Sequence, residues 1–229
     1  MDTSGTSLLF VLSFVAVIAA AVRSVEPLLE GQLSMRHVPP AGWIVWLCVA
    51  VPSLLQIPRP QVYEALHRDA RAVLDSHQWW RLVTSVTVRD GGIAGTVSNL
   101  VLLALALTVC LPLWGSLTTV VTFVGAGVGL NVLAVTFGAT DGGGNSAATL
   151  PLLASLPPFA LAVLAAGHRL RAVTGCLVVA GAATVLAAAN DAHSVAVGLG
   201  LMLGLVGMPL ARRRWSGQHA AARRTRQRP

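Results

Sequence analysis

Ser146, His193 and Asn99 are the three residues of this chain whose types, taken together, suit acyl transfer. A serine hydroxyl is a weak nucleophile until a neighbouring base takes its proton, and an imidazole titrating near neutrality suits that task. The carboxamide of Asn99 and the backbone N–H of Ser146 would then hold the oxyanion that forms at the attacked carbonyl. Ser146 follows the run Thr140-Asp141-Gly142-Gly143-Gly144-Asn145, whose glycines let a substrate backbone come close. Taken singly, each residue has a plainer role: Ser146 as a helix N-cap, Asn99 as an interhelical donor, His193 as an interfacial residue. Their joint placement carries the functional reading, because a histidine beside hydrocarbon is costly without a partner or a cavity.

That placement depends on membrane spans. Of the 229 residues, 55% are hydrophobic and 11% charged, and the mean hydropathy is +0.71, which places the chain among polytopic membrane proteins. Crossing a bilayer takes about 20 apolar residues. Spans are expected at Leu8 to Val22, Trp43 to Ile57, Ile93 to Leu113, Leu117 to Phe137, Ser146 to Ala166, Ala172 to Ala189 and Ala192 to Leu210. The 16 basic residues are all arginine, and a cluster from Arg212 to Arg228 follows the last span, so the C-terminus is expected in the cytoplasm. Arg23, Arg36, Arg169 and Arg171 then fall inside, and Glu64, Asp69, Asp75, Asp90, Asp141 and Asp191 outside. With that sidedness Ser146 and His193 both open spans from the outer side, and Asn99 lies about two turns into the third span at similar depth. A basic tail next to a span is a topology anchor that touches anionic lipid, not a nucleic-acid site.

The remaining features are supporting ones. In the long polar segment from Pro58 to Gly92, Val62, Tyr63, Leu66, Ala70, Val73 and Leu74 recur at helical spacing, with His67, Arg68 and Arg71 on the other faces. This predicts a single helix lying at the membrane surface. Trp79, Trp80 and Arg81 suit the headgroup zone. Small residues every four positions, Gly125 and Gly129 in the fourth span and Ala196, Gly200 and Gly204 in the seventh, predict close helix contacts. Cys48, Cys110 and Cys176 are single core residues with no metal or disulfide spacing. The N-terminal stretch lacks a basic flank and reads as an extra span, not a cleaved leader.

On these residues the chain resembles the rhomboid family of intramembrane serine proteases. His77-Gln78-Trp79-Trp80-Arg81-Leu82-Val83-Thr84-Ser85 is similar to the Trp-Arg stretch of the family's first outer loop, and Asn99 stands in the span that follows it. Gly144-Asn145-Ser146-Ala147 is similar to the family's Gly-x-Ser-Gly, and His193 with Ala196, Gly200 and Gly204 resembles its last core span. The resemblance covers roughly Gly42 to Ala211. It implies an all-α, six-helix bundle with an extra N-terminal transmembrane helix. Ser146 and His193 would be catalytic, Asn99 and Ser146 would form the oxyanion hole, Gly144, Asn145 and Ala147 would line the substrate cavity, and Trp80, Arg81, Gly200 and Gly204 would be structural. The chain departs from the family at Gly95, where a second histidine usually stands, at Ala147 in place of glycine, and at Leu150, where an aromatic often supports the histidine ring. Pro151, Pro157 and Pro158 interrupt the fifth span.

The expected activity is cleavage of transmembrane protein substrates without cofactor or metal, in a bacterial plasma membrane, with the active site opening outward. The alternative is a catalytically inactive rhomboid-like protein that binds membrane segments in quality control or trafficking. Residues 1–41 would hold the extra helix and a linker, 42–211 the core, and 212–229 a basic tail without fixed structure. Asp191, two residues before His193, would face another side of the same helix, so a Ser/His dyad is expected, with the histidine oriented by packing alone. An aspartyl protease, a His-Glu-x-x-His metalloprotease and a transporter built from repeated halves lack their motifs here.

Overall fold

A computed structural model describes residues 3–29, 38–138 and 141–226. Arg36, Thr140 and Arg228 lie outside the described residues. Among these the chain is all-helical, with one isolated antiparallel bridge between Arg68 and Gly142. Five helices are long and apolar enough to cross a membrane, or six if one bent pair counts as a single span, so this is an integral membrane protein of all-α class. The chain divides into two compact units, Gln32–Leu152 and Met1–Gly31 with Leu153–Pro229.

The first unit is built on α6 (Gly92–Trp114) and α7 (Ser116–Thr136). Gly115, at φ 80°, closes one and opens the other, a conformation that costs a residue with a Cβ about 1–2 kcal/mol. Helix α2 (Pro40–Leu55) begins with proline in its first turn, where the missing N–H is no loss. It packs on α6, and the Trp46 indole donates to Leu100 O at 3.2 Å. Its 16 residues are fewer than the roughly 20 of a full crossing. Cys48 lies exposed on α2 and is not a core residue, whereas Cys110 is buried.

The segment from Pro58 to Gly92 departs from the expected single helix. It forms α3 (Pro60–Leu66), α4 (Ala70–Leu74) and α5 (Arg81–Thr84). The break at residues 67–69 has a non-local cause: the backbone N–H and C=O of Arg68 pair with Gly142 at 2.8 and 3.0 Å, which a helical residue could not do. Asp69 then caps α4 by accepting from Ala72 N.

The second unit centres on α9 (Leu156–Val163), whose Leu156, Pro157, Pro158, Phe159 and Ala160 are all buried. It continues α8 (Ser146–Ala154) after a break at Ser155, where Pro157 and Pro158 supply no backbone donors. Around it stand α1 (Thr3–Leu29), α10 (Arg169–Ala188), α11 (His193–Val206) and α12 (Met208–Arg226). Helix α1 packs along α10 and α9 and is part of this unit. The expected last span bends by 56° between α11 and α12, where Pro209 cannot donate to Leu205. Helix α12 carries the chain in helical form to Arg226, through most of the stretch where composition predicts an unordered tail.

The small-residue stripes are distributed differently from the expectation. A Cβ on Gly125 or Gly129 would meet nothing within 4 Å, whereas one on Gly127 would stand 2.8 Å from Val86 Cγ1 and 3.1 Å from Ala148 Cβ. The close face of α7 is thus two residues out of register with the stripe. In α11 Ala196, Gly200 and Gly204 are buried, and a Cβ on Gly204 would stand 2.7 Å from Ser155 O.

Candidate active site

The turn before α8 is anchored from several sides. Gly144 N donates to Ser85 O at 2.9 Å, and Gly142 pairs with Arg68. Asp141 Oδ1 accepts from Ala70 N at 2.9 Å. A Cβ on Gly143 would lie 2.8 Å from Val88 O, so only glycine lets the turn sit this close to the 85–88 backbone. Asn145 starts the helix, its C=O accepting from Ala148 N and Thr149 N, and its Nδ2 reaches Asn99 O at 3.5 Å. Ser146 follows as the first residue of α8 and is buried; Ala147 is half-buried.

The structure brings Ser146, Asn99 and Gly144 together. A Cβ built on Gly144 would stand 3.6 Å from Ser146 Oγ and 3.7 Å from Asn99 Nδ2. The same point lies 3.8 Å from Arg89 Nη1, a residue that spacing along the chain does not single out. Burial pushes the Arg89 guanidinium below its ordinary basicity and the adjacent Asp90 carboxylate opposes this; the side chain remains cationic at neutral pH. Asn99 is 6% exposed, and its Nδ2 has no hydrogen-bond partner.

A second polar set ties the segment between α2 and α6 together beside this site. Arg81 donates to Gln78 Oε1 and to the carbonyls of Glu64 and His67, closing the end of α3; Trp80 beside it is exposed. Buried Asn131 is used fully, accepting from Arg68 Nη1 at 2.8 Å and donating to Leu82 O and Ser85 Oγ at 2.9 Å each. Ser85 in turn supplies the carbonyl that holds Gly144. Replacing Asn131 with alanine removes one charge-assisted and two neutral bonds. It should cost about 3 kcal/mol, read as a lower unfolding temperature in detergent.

His193, in the second unit, is the first residue of α11. Contrary to the dyad expectation, its ring is not oriented by packing alone. Nδ1 lies 2.6 Å from Asp191 Oδ1, which also accepts from His193 N at 2.8 Å. The helical-spacing argument fails because Asp191 is not on the helix. Asn190, at φ 56°, ends α10 in a left-handed cap, with Asn190 N bonded to Ala187 O and Asp191 N to Leu186 O. The tight turn that follows folds the carboxylate back onto the start of α11. Because a carboxylate only accepts, Nδ1–H is the donor of this bond, which in the neutral ring leaves the lone pair on Nε2. Phe10 and Phe14 of α1 flank the imidazole at centroid distances of 5.1 and 5.6 Å. These aromatic neighbours come from the N-terminal helix, which no sequence spacing could indicate.

Among the described residues no group of three His, Cys, Asp or Glu side chains is placed to hold a metal ion. Fold and site together define an all-α integral membrane protein with a buried serine at a helix start and a carboxylate-held histidine. No family model, curated protein or solved structure matches the chain.

Proposed function

We propose that this chain is a rhomboid-type intramembrane serine endopeptidase that cleaves transmembrane protein substrates, with Ser146 as nucleophile and His193 as base. The observation that carries the reading is the approach of Ser146 Oγ and Asn99 Nδ2 to one point at Gly144, where an attacked carbonyl oxygen needs a donor. The Asp191 bond to Nδ1 supports it, since it leaves Nε2 as the basic nitrogen. In this reaction the Ser146 proton passes to Nε2 as Oγ bonds the carbonyl carbon, and the carbonyl π pair becomes the oxyanion. Its collapse expels the amine, which takes the proton from His193, and water repeats the sequence to release the acyl group. The arginines that begin at Arg212 support a cytoplasmic C-terminus in a bacterial plasma membrane, with the reaction at the outer side.

The test is covalent labelling of Ser146 by a fluorophosphonate or isocoumarin probe in detergent. Wild type should be labelled, and both Ser146→Ala and His193→Ala should not. A folded wild type that takes no label, or label that persists in His193→Ala, would favour the non-catalytic rhomboid-like alternative that captures membrane segments.

A further inference from the structure

Arg89 is the charged group of this neighbourhood that the acyl-transfer reading does not use. Its guanidinium occupies space that exists because residue 95 lacks a side chain: a Cβ on Gly95 would stand 2.9 Å from Nε and 3.7 Å from Cζ. Its backbone is fixed by the buried Gln56 carboxamide, which donates to Arg89 O at 2.9 Å and accepts from Arg89 N at 3.0 Å. Arg89 makes no ion pair among the described residues. Asp90, the nearest acid in sequence, is exposed and lies beside Gly142, where a Cβ would stand 3.5 Å from its Oδ2.

Two buried donors here have no partner, Arg89 Nε and Asn99 Nδ2. An unsatisfied buried donor is costly, so a ligand that accepts from both is favoured here. Arg89 Nη1, Asn99 Nδ2 and Ser146 Oγ all lie within 3.8 Å of one point, next to the N-terminus of the nine-residue α8, which itself favours negative charge. A cation is repelled from such a point and a neutral group leaves the guanidinium charge unmatched. The arginine fork with an adjacent amide matches an oxyanion.

We infer that Arg89, Asn99 and the start of α8 form an anion-binding cup for one oxyanion of carboxylate size, and that Arg89 is the cationic donor to the oxyanion generated at Ser146. The second half rests on the peptidase reading; the first does not. Protein labelled with ¹⁵N-arginine in detergent micelles, titrated with acetate against chloride at constant ionic strength, tests the cup. The Arg89 Nε–Hε resonance, identified by its loss in Arg89→Lys, should shift saturably with acetate. Binding should weaken at least about fivefold in Asn99→Ala and vanish in the isosteric Asn99→Asp. No saturable shift, or one indifferent to both Asn99 variants, overturns the cup. For the second half, Arg89→Gln should slow fluorophosphonate labelling of Ser146 by about a hundredfold at unchanged unfolding temperature, and acetate should compete with labelling. Acetate binding in a protein that takes no label keeps the cup and removes the peptidase. Labelling indifferent to Arg89→Gln removes Arg89 from the reaction and leaves the peptidase.

Discussion

Exchanging Asp191 for asparagine should slow acylation of Ser146 by about 10²- to 10⁴-fold while α11 still forms. The asparagine carbonyl can go on accepting from His193 N, so the helix start survives. What changes is the ring. With a carboxylate at 2.6 Å only the Nδ1–H tautomer is favoured, and the imidazolium that forms on proton transfer gains an adjacent negative charge. A carboxamide removes that charge, while its carbonyl oxygen in the place of Oδ1 can still accept from both His193 N and Nδ1–H, so what is lost is the stabilisation of the imidazolium. Alanine at 191 should be no better, since it also removes the acceptor of His193 N. A probe-labelling rate within a few-fold of wild type in Asp191→Asn would return the histidine to a packing-held dyad. The pair also has a signature in pH. Partial burial pushes the Asp191 carboxyl up, but its hydrogen bonds with the ring and backbone N–H of His193 outweigh this and hold it below its ordinary 3.8. A carboxyl depressed by folding stabilises the native state fully above its ordinary value and ceases to do so as the pH falls through the depressed one. The unfolding temperature of wild type should therefore fall more steeply than that of Asp191→Asn between about pH 5 and pH 2.

Replacing Gly144 with alanine should lower probe labelling by about 10³-fold with only about 1–2 kcal/mol of destabilisation. The destabilisation comes from φ, which at 150° is open to glycine and strained for alanine. Contact adds little, because the nearest atoms to the new methyl would be 3.6 to 3.8 Å away. Those atoms, however, are Ser146 Oγ, Asn99 Nδ2 and Arg89 Nη1. The methyl would put carbon into the space where, in the proposed reaction, a substrate oxygen meets its donors. Labelling and folding stability, measured on the same preparation, separate this from a general loss of structure. If labelling fell only in proportion to the loss of folded protein, or if it survived, the space around Gly144 would not be where the oxyanion forms.

What could be read from the amino-acid order is what depends on local composition. The runs expected at Ile93 to Leu113 and Leu117 to Phe137 became α6 and α7 within a residue or two at each end, because continuous apolar stretches of bilayer length have one stable answer. Ser146, Asn99 and His193 stood out because polar groups inside such stretches are few. What stayed hidden is non-local. The even helical spacing from Val62 to Leu74 does not reveal that Arg68 finds a strand-like partner 74 residues later in Gly142. The periodic Gly125 and Gly129 say nothing of Gly127, whose neighbours are Val86 and Ala148. Arg89 lies six residues before Gly95 and ten before Asn99, a spacing with no meaning until the loop folds back. Asp191 was the nearest miss, and a signal was available: Asn190 is a residue type that favours the left-handed helix cap, which would have ended α10 there and released Asp191 from helical geometry.

The flanking of His193 by Phe10 and Phe14 has a consequence in time. The compact unit holding this histidine is discontinuous, made of the first and last parts of the chain with residues 32–152 between them. During synthesis the first helix leaves the ribosome early and waits while that whole interval is made, on the order of ten seconds at about 5–20 residues per second. Until then its aromatic side chains have only lipid or the insertion machinery for company. Residue 193 follows that whole interval, so the imidazole and the two rings that flank it can meet only after residues 32–152 have been made.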